Sequence, residues 1–286
     1  MKAKRLIINA DDFGLSLGVN KGIIESIENG VVSSISVIAN FRHMSHVLEI
    51  TKSFPNISIG IHYNLTTGKP ITNPSFIPSL VRANGDFWGK GFSRKLLRGR
   101  IRFSDIKTEL EKQTKVLADL VPHISHFDGH QANHLYPLFF SAALKVAHKF
   151  GIRKVRCPKR YIARENHVSL LQLRQLNIKR WFKGIARRTM MIYLKAKGFK
   201  TADRFVSLVF NNHSMDSLRK SWLSMVRNLP PGSSEICCHP GFADEILLQH
   251  SKYTYKRETE IAVLTSRELK QAFEENDVKI ISYNEL

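Results

Sequence analysis

The chain has 286 residues, with 44 Lys and Arg against 24 Asp and Glu, and a formal net charge of +20. Hydrophobic residues make up 43% of it, which excludes a disordered polycation and permits one α/β domain with a large core. The charge is local, because residues 151–200 carry 15 basic side chains and one acidic one.

Taken in chain order, residues 6–10 form a short apolar, β-rich run that ends on Asp11-Asp12. Residues 19–28 have helical spacing and stop at Asn29-Gly30. A strand over 34–39, a helix over 43–53 ended before Pro55, and a strand over 57–62 ending on His62 follow. Residues 66–91 are rich in Gly, Pro and Asn and too long for an ordinary connection, so a functional loop is expected. A helix over 105–120 leads to a strand over 124–127, which ends at Asp128-Gly129-His130. His130 and His134 are expected on a loop, since Pro137 starts the next helix, 138–150. Residues 154–156 read as a short strand. After the basic block come a strand over 205–210, a helix over 216–228, a strand over 235–238 ending at His239, a helix over 257–275 and a strand over 279–282. Some eight strands alternating with helices predict an α/β fold, an irregular TIM-like (β/α) barrel or a doubly wound sheet, in a single domain over 1–286.

Cys157, Cys237 and Cys238 form no C-x-x-C pair, which excludes a disulfide framework and a Cys-rich zinc module and points to a reducing compartment. Five residues separate the basic start from Asp11, too few for a signal peptide, and no run of about 18 apolar residues exists. The expectation is a cytoplasmic protein, either free or peripheral on the inner face of a membrane.

Four predicted strands thus end in acids or histidines. In a parallel barrel all strand C-termini open on one face, so Asp11, Asp12, His62, His130 and His239 are expected to converge there. Bland readings compete at each position: a helix N-cap for Asp11 or Asp12, a core histidine for His62, a turn for His239. Adjacent acids after a buried strand ask for more, since like charges repel unless a cation or proton separates them. One carboxylate and two imidazoles suit a divalent metal with an open position, and a second carboxylate suits a general base. These parts would hydrolyse an amide or ester, with a histidine protonating the leaving group. His43, His46, His123, His126, His148, His167, His213 and His250 are read as solvent or packing residues.

At these residues the chain resembles the YdjC/ChbG carbohydrate deacetylases. The segments are Asn9-Ala10-Asp11-Asp12-Phe13-Gly14, Gly60-Ile61-His62-Tyr63-Asn64-Leu65-Thr66, His126-Phe127-Asp128-Gly129-His130-Gln131-Ala132-Asn133-His134 and Cys238-His239-Pro240-Gly241. The resemblance implies an irregular (β/α) barrel that removes acetyl from an N-acetylated sugar with a divalent metal, commonly magnesium. It places Asp12, His62 and His130 on the metal, Asp11 as the base, and His239 as a candidate acid. His134 would be an extra ligand or a partner of the ligands, and Asn64 and Asp128 would contact substrate. Where relatives have a histidine-rich run, this chain has Gln131, Ala132 and Asn133, which leaves the role of His134 and the metal preference open. Two imidazoles and a carboxylate would accept zinc or manganese as readily as magnesium.

The basic block, residues 157–203, reads as an amphipathic insertion in the barrel. Arg180, Lys183 and Arg187 line one helical face and Phe182, Ile185 and Ile192 another, with Trp181 and Arg188 among them. A solvated basic face and a helix lying on anionic lipid are the two main readings. Nucleic acid is disfavoured, because the recognised motifs of such binders are absent. Residues 194–199, 203–205 and 229–232 resemble family members associated with hopanoid biosynthesis, which implies a lipid-linked saccharide or glycolipid substrate. The leading function is therefore hydrolysis of an N-acetyl group from an amino sugar, by a monomer or a homo-oligomer. The alternatives are a metal hydrolase for an ester or phosphoester, and a non-catalytic basic protein that binds lipid or nucleic acid.

Overall fold

The computed structural model describes residues 3–161, 178–208 and 214–286, with side chains left out for 178–186. The strands are β1 (Lys4–Phe13), β2 (Ser34–Val37), β3 (Ser58–Tyr63), β4 (Phe127–Gly129), β5 (Arg160–Tyr161), β6 (Arg204–Val206), β7 (Gly232–Cys238) and β8 (Val278–Ile280). Around them lie α1 (Leu17–Glu28), α2 (Val47–Ser53), α3 (Gly91–Leu97), α4 (Phe103–Ala118) and α5 (Pro137–Lys149). Then follow α6 (Ile178–Ala196), α7 (Met215–Arg227), α8 (Glu245–His250), α9 (Lys256–Leu264) and α10 (Arg267–Glu275).

All strand pairs are parallel, in the order β4-β3-β2-β1-β7-β6-β5. β1 is the hub. β7 covers one edge from Lys4 to Ala10, and the other edge is divided between β8 at Lys4–Leu6 and β2 at Asn9–Phe13. The sheet curls back on itself where Phe127 pairs with Val155, in the segment that runs on into β5. This is the expected α/β barrel in its irregular form, with one β1 edge shared by two short strands.

Strand alternation sorts the side chains of β1. Leu6, Ile8 and Ala10 pack into the main apolar core with Val19 and Ile23 of α1, each buried Leu, Ile or Val contributing roughly 1.5–3 kcal/mol. Ile7 belongs to a second cluster with Ile281 and Tyr283, and Asn9 and Asp11 continue that face as buried polar residues. A polar network replaces apolar layers there: Asn9 donates to Ser36 Oγ (2.8 Å), Ser34 donates to Asn9 Oδ1 (2.5 Å), and Ser36 donates to Asp128 Oδ2 (3.0 Å).

Several elements differ from expectation. The helix expected over 257–275 is two, because Ser266 caps a new helix by accepting from Leu269 N. The 154–156 segment makes single bridges rather than a strand. The long excursion has only a 3-10 turn (Pro74–Phe76) and one bridge between Val81 and Phe87, but many of its residues line the cavity described below. In α6, Leu194 is fully buried while Ile192 is 71% exposed, so the expected apolar face turns to solvent at that point. The side chains of Arg180, Trp181 and Lys183 lie outside the described residues, as do His167 and His213.

Candidate active site

Because the strands are parallel, the ends of β1, β3, β4 and β7 meet at one edge of the sheet. A cavity of about 1450 Å³ opens there, lined by Asp11, Asp12, His62, His130, His134, Arg156 and His239 among others. Neighbouring residues on a regular strand face opposite ways. Asp12 escapes this rule with a φ of 71°, at a shift of register against β2 between Ala10 and Phe13, so both carboxylates reach the cavity.

The two carboxylates then divide. Asp12 Oδ1 lies 3.0 Å from His130 Nδ1 and 3.4 Å from His62 Nε2, while its Oδ2 accepts from Arg257 Nη2 at 2.7 Å. Burial alone would raise Asp12, but His130 and Arg257 hold it well below the ordinary carboxylate range. His62 is fixed from behind by Asp128, whose Oδ1 is 2.7 Å from Nδ1. Burial would depress this imidazole; Asp128, Asp12 and Asp11 overcome it and lift it to about 10. The pocket therefore asks for a positive charge at Nε2, which either a proton or a cation can supply.

A divalent cation fits this set. Asp12, His62 and His130 each offer a ligand atom, all mutually within 4.8 Å. Neighbouring ligands of an ion held at about 2.1 Å lie about 3.0–3.4 Å apart, and the two measured separations fall in that range. His134 is buried, packs on Gly129 and stays outside the three-ligand group; burial lowers it to about 4, so its ring is neutral.

Asp11 faces a different partner. Arg156 clamps it through Nη2 to Oδ1 (2.6 Å) and Nη1 to Oδ2 (2.7 Å), and Asn9 donates to Oδ1 at 2.8 Å. The same guanidinium reaches Asp128 Oδ2 (2.5 Å) and Glu235 Oε1 (2.7 Å). Burial raises Asp11, but Arg156 outweighs it and keeps the group a carboxylate. Among the described residues one lone pair of Oδ2 stays uncommitted, on the oxygen 3.9 Å from His239 Nε2. His239 is about one-third exposed, and its backbone N–H donates to Glu260 Oε2.

Arg156, Arg257, Glu235 and Glu260 escaped the sequence reading. No local signal marks Arg156, which sits among other basic residues in Arg153-Lys154-Val155-Arg156. Asn64 does not line the cavity. It is fully buried and organises its own loop, donating to Asn40 Oδ1 and Thr67 O and accepting from the N–H groups of Thr66 and Thr67. Asp128 is likewise fully buried, between His62, Ser36 and Arg156, and does not line the cavity. His43 and His250, read as solvent or packing residues, line the outer cavity wall. Arg187 of α6 also reaches the cavity, whereas Arg188 is exposed.

Comparison with known proteins places this geometry. The chain is 30% identical to a carbohydrate deacetylase of Thermoanaerobacter pseudethanolicus over 98% of both chains. It is 30% identical to a chitooligosaccharide deacetylase of Yersinia enterocolitica over 99% of both. A crystal structure from Enterococcus faecalis V583, provisionally named a cellobiose-phosphate cleavage protein, superposes with a TM-score of 0.77 at 27% identity, covering 99% of this chain and 98% of the other. The model of the YdjC-like protein family matches residues 5–275, and the chain belongs to that family.

Proposed function

We propose that this chain is a metal-dependent hydrolase that removes the acetyl group from an N-acetylated amino sugar. The observation that carries the reading is the division of labour between adjacent carboxylates: Asp12 joins two imidazoles and Asp11 faces a third. The names of the relatives support the substrate class. Asp12, His62 and His130 would hold the divalent ion, which when bound supplies positive charge for the developing oxyanion.

The chain's own residues do the rest. Asp11 takes the proton of the attacking water on Oδ2, the oxygen with an uncommitted lone pair. Arg156 keeps that carboxylate charged and aimed. His239, across 3.9 Å, is placed to give a proton to the leaving amine nitrogen. The cavity exceeds the roughly 300–1000 Å³ of ordinary small-ligand sites, which leaves room for a second sugar or an attached group.

A second feature favours presentation of the sugar on a lipid. Ile192 and Tyr193 of α6 are 71% and 43% exposed beside Lys195 and Lys197, and Arg187 of the same helix lines the cavity. On α3, Leu97 is 76% exposed between Lys95 and Arg98. Exposed apolar side chains ringed by cations suit an anionic membrane surface. No described helix is long and apolar enough to cross a membrane.

Acetate release from soluble and lipid-linked N-acetylhexosamine substrates, with metals supplied one at a time, tests both readings. Release that requires a divalent ion supports the hydrolase. Release from an ester or phosphoester alone points to the other bond, and no turnover with any metal leaves the non-catalytic reading. Absence of binding to anionic liposomes at low salt, with full activity on soluble chitooligosaccharides, removes the membrane step.

A further inference from the structure

A second cluster of ligating side chains lies beside the first. Asp11, Cys237 and His239 each contribute a ligand atom, and these atoms lie within 4.8 Å of one another. Strand geometry produces the arrangement, because Cys237 and Cys238 are neighbours on β7 and face opposite ways. Cys238 is 1% exposed and packs in the apolar core. Cys237 lines the cavity and stands in register with Asn9, two residues before Asp11. His239 follows at the strand end, with Nε2 3.9 Å from Asp11 Oδ2. Among the described residues that oxygen accepts only from Arg156 Nη1 and has a lone pair to spare, whereas Oδ1 accepts from both Asn9 and Arg156.

The donor chemistry differs from that of the first cluster. Asp12, His62 and His130 offer one oxygen and two nitrogens; here a sulfur replaces one nitrogen. Thiolate ligands select thiophilic ions such as Zn²⁺ and Cd²⁺, and carboxylate and water suit Mg²⁺. Cys157, the other thiol on the cavity wall, is 3% exposed, lies 3.9 Å from Met191 Sδ, and joins no ligand group among the described residues.

We propose that Asp11, Cys237 and His239 form a second cation site, selective for thiophilic d10 ions, and that filling it shuts down the enzyme. On binding, the Cys237 thiol releases its proton to water, and the sulfur, His239 Nε2 and Asp11 Oδ2 each donate an electron pair to the ion. The ion then occupies the lone pair and the imidazole nitrogen that the hydrolysis needs. The inhibition rests on the proposed function; the binding does not.

The test is a titration of the Mg²⁺-loaded full chain with Cd²⁺, followed by the ultraviolet thiolate-to-cadmium charge-transfer band and, in parallel, by acetate release from an N-acetylglucosamine oligosaccharide. The wild type is expected to show a one-thiolate band that saturates as acetate release stops. Cys237→Ser and Cys237→Ala are expected to lose the band, keep basal acetate release, and need roughly tenfold or more Cd²⁺ for inhibition. Cys157→Ser is expected to keep the band. A band that survives in both Cys237 variants, or that Cys157→Ser abolishes, overturns the proposal. A Cys237-dependent band in a protein that releases no acetate from any sugar upholds the site and removes the deacetylase reading.

Discussion

Arg156 grips both oxygens of Asp11, at 2.6 and 2.7 Å, and with the rest of its guanidinium reaches Asp128 and Glu235. One buried cation thus orders three buried carboxylates. A lysine is a point charge on a flexible stem and cannot span them. Arg156→Lys is expected to lower kcat by roughly 100-fold with little change in KM. Because Arg156 is what holds Asp11 down, the acid limb of the rate profile is expected to move to higher pH. An unmoved limb in a pH–rate series would show that Arg156 is only structural.

Asp11 and Asp12 are adjacent but face different partners, so their losses should separate. Asp11→Asn is expected to keep its metal while turnover falls by about 10²–10⁴-fold, the usual size of a general-base contribution. His62→Ala and His130→Ala are expected to come off gel filtration without metal. Elemental analysis decides: an empty Asp11→Asn and a loaded His130→Ala would reverse the assignment.

Asp128 never meets the cavity, yet it fixes Nδ1 of His62 at 2.7 Å and so aims Nε2 at Asp12. A carboxylate behind a ligating imidazole raises its basicity and locks its ring. Asp128→Asn is expected to weaken metal binding by roughly 10–100-fold, read by metal titration, while the rings of His62 and His130 stay close.

His126 and His134 are buried and held neutral, burial being the main cause, at about 3 and about 4. His126 is stacked on Tyr283 at a centroid distance of 3.6 Å and bonded to Ser36 and Ser125. A folded-state value below the unfolded 6.5 means the unfolded chain binds protons first as pH falls. The contribution of these two histidines is therefore full above about pH 6.5 and declines below it, by up to about 1.4 kcal/mol per pH unit for each. Denaturant unfolding at intervals from pH 7 to 4.5 checks this; a flat profile contradicts it.

Much of the fold and part of the site were readable from one dimension. Apolar runs ended by Asp12, His62, Asp128 and His239 announced parallel strands whose polar ends share an edge, because burial of both strand faces leaves chemistry only at the tips. Helix starts were legible within a few residues wherever a cap was local, as at Ser16 and Ser214. The break at Ser266 was missed because no Pro or Gly interrupts residues 257–275.

The sequence by itself determined the residue types, their order and the strand ends they occupy, since periodicity and breakers act over a few residues. Only the tertiary structure decided how they divide the work. The left-handed backbone at Asp12 turns two neighbouring carboxylates into the same cavity, and contacts across 145 residues bring Arg156 to Asp11. It also withdrew Asn64 into its own loop and turned Ile192 of the basic helix toward solvent. These outcomes depend on through-space distance and competition for buried hydrogen bonds, which no local pattern records.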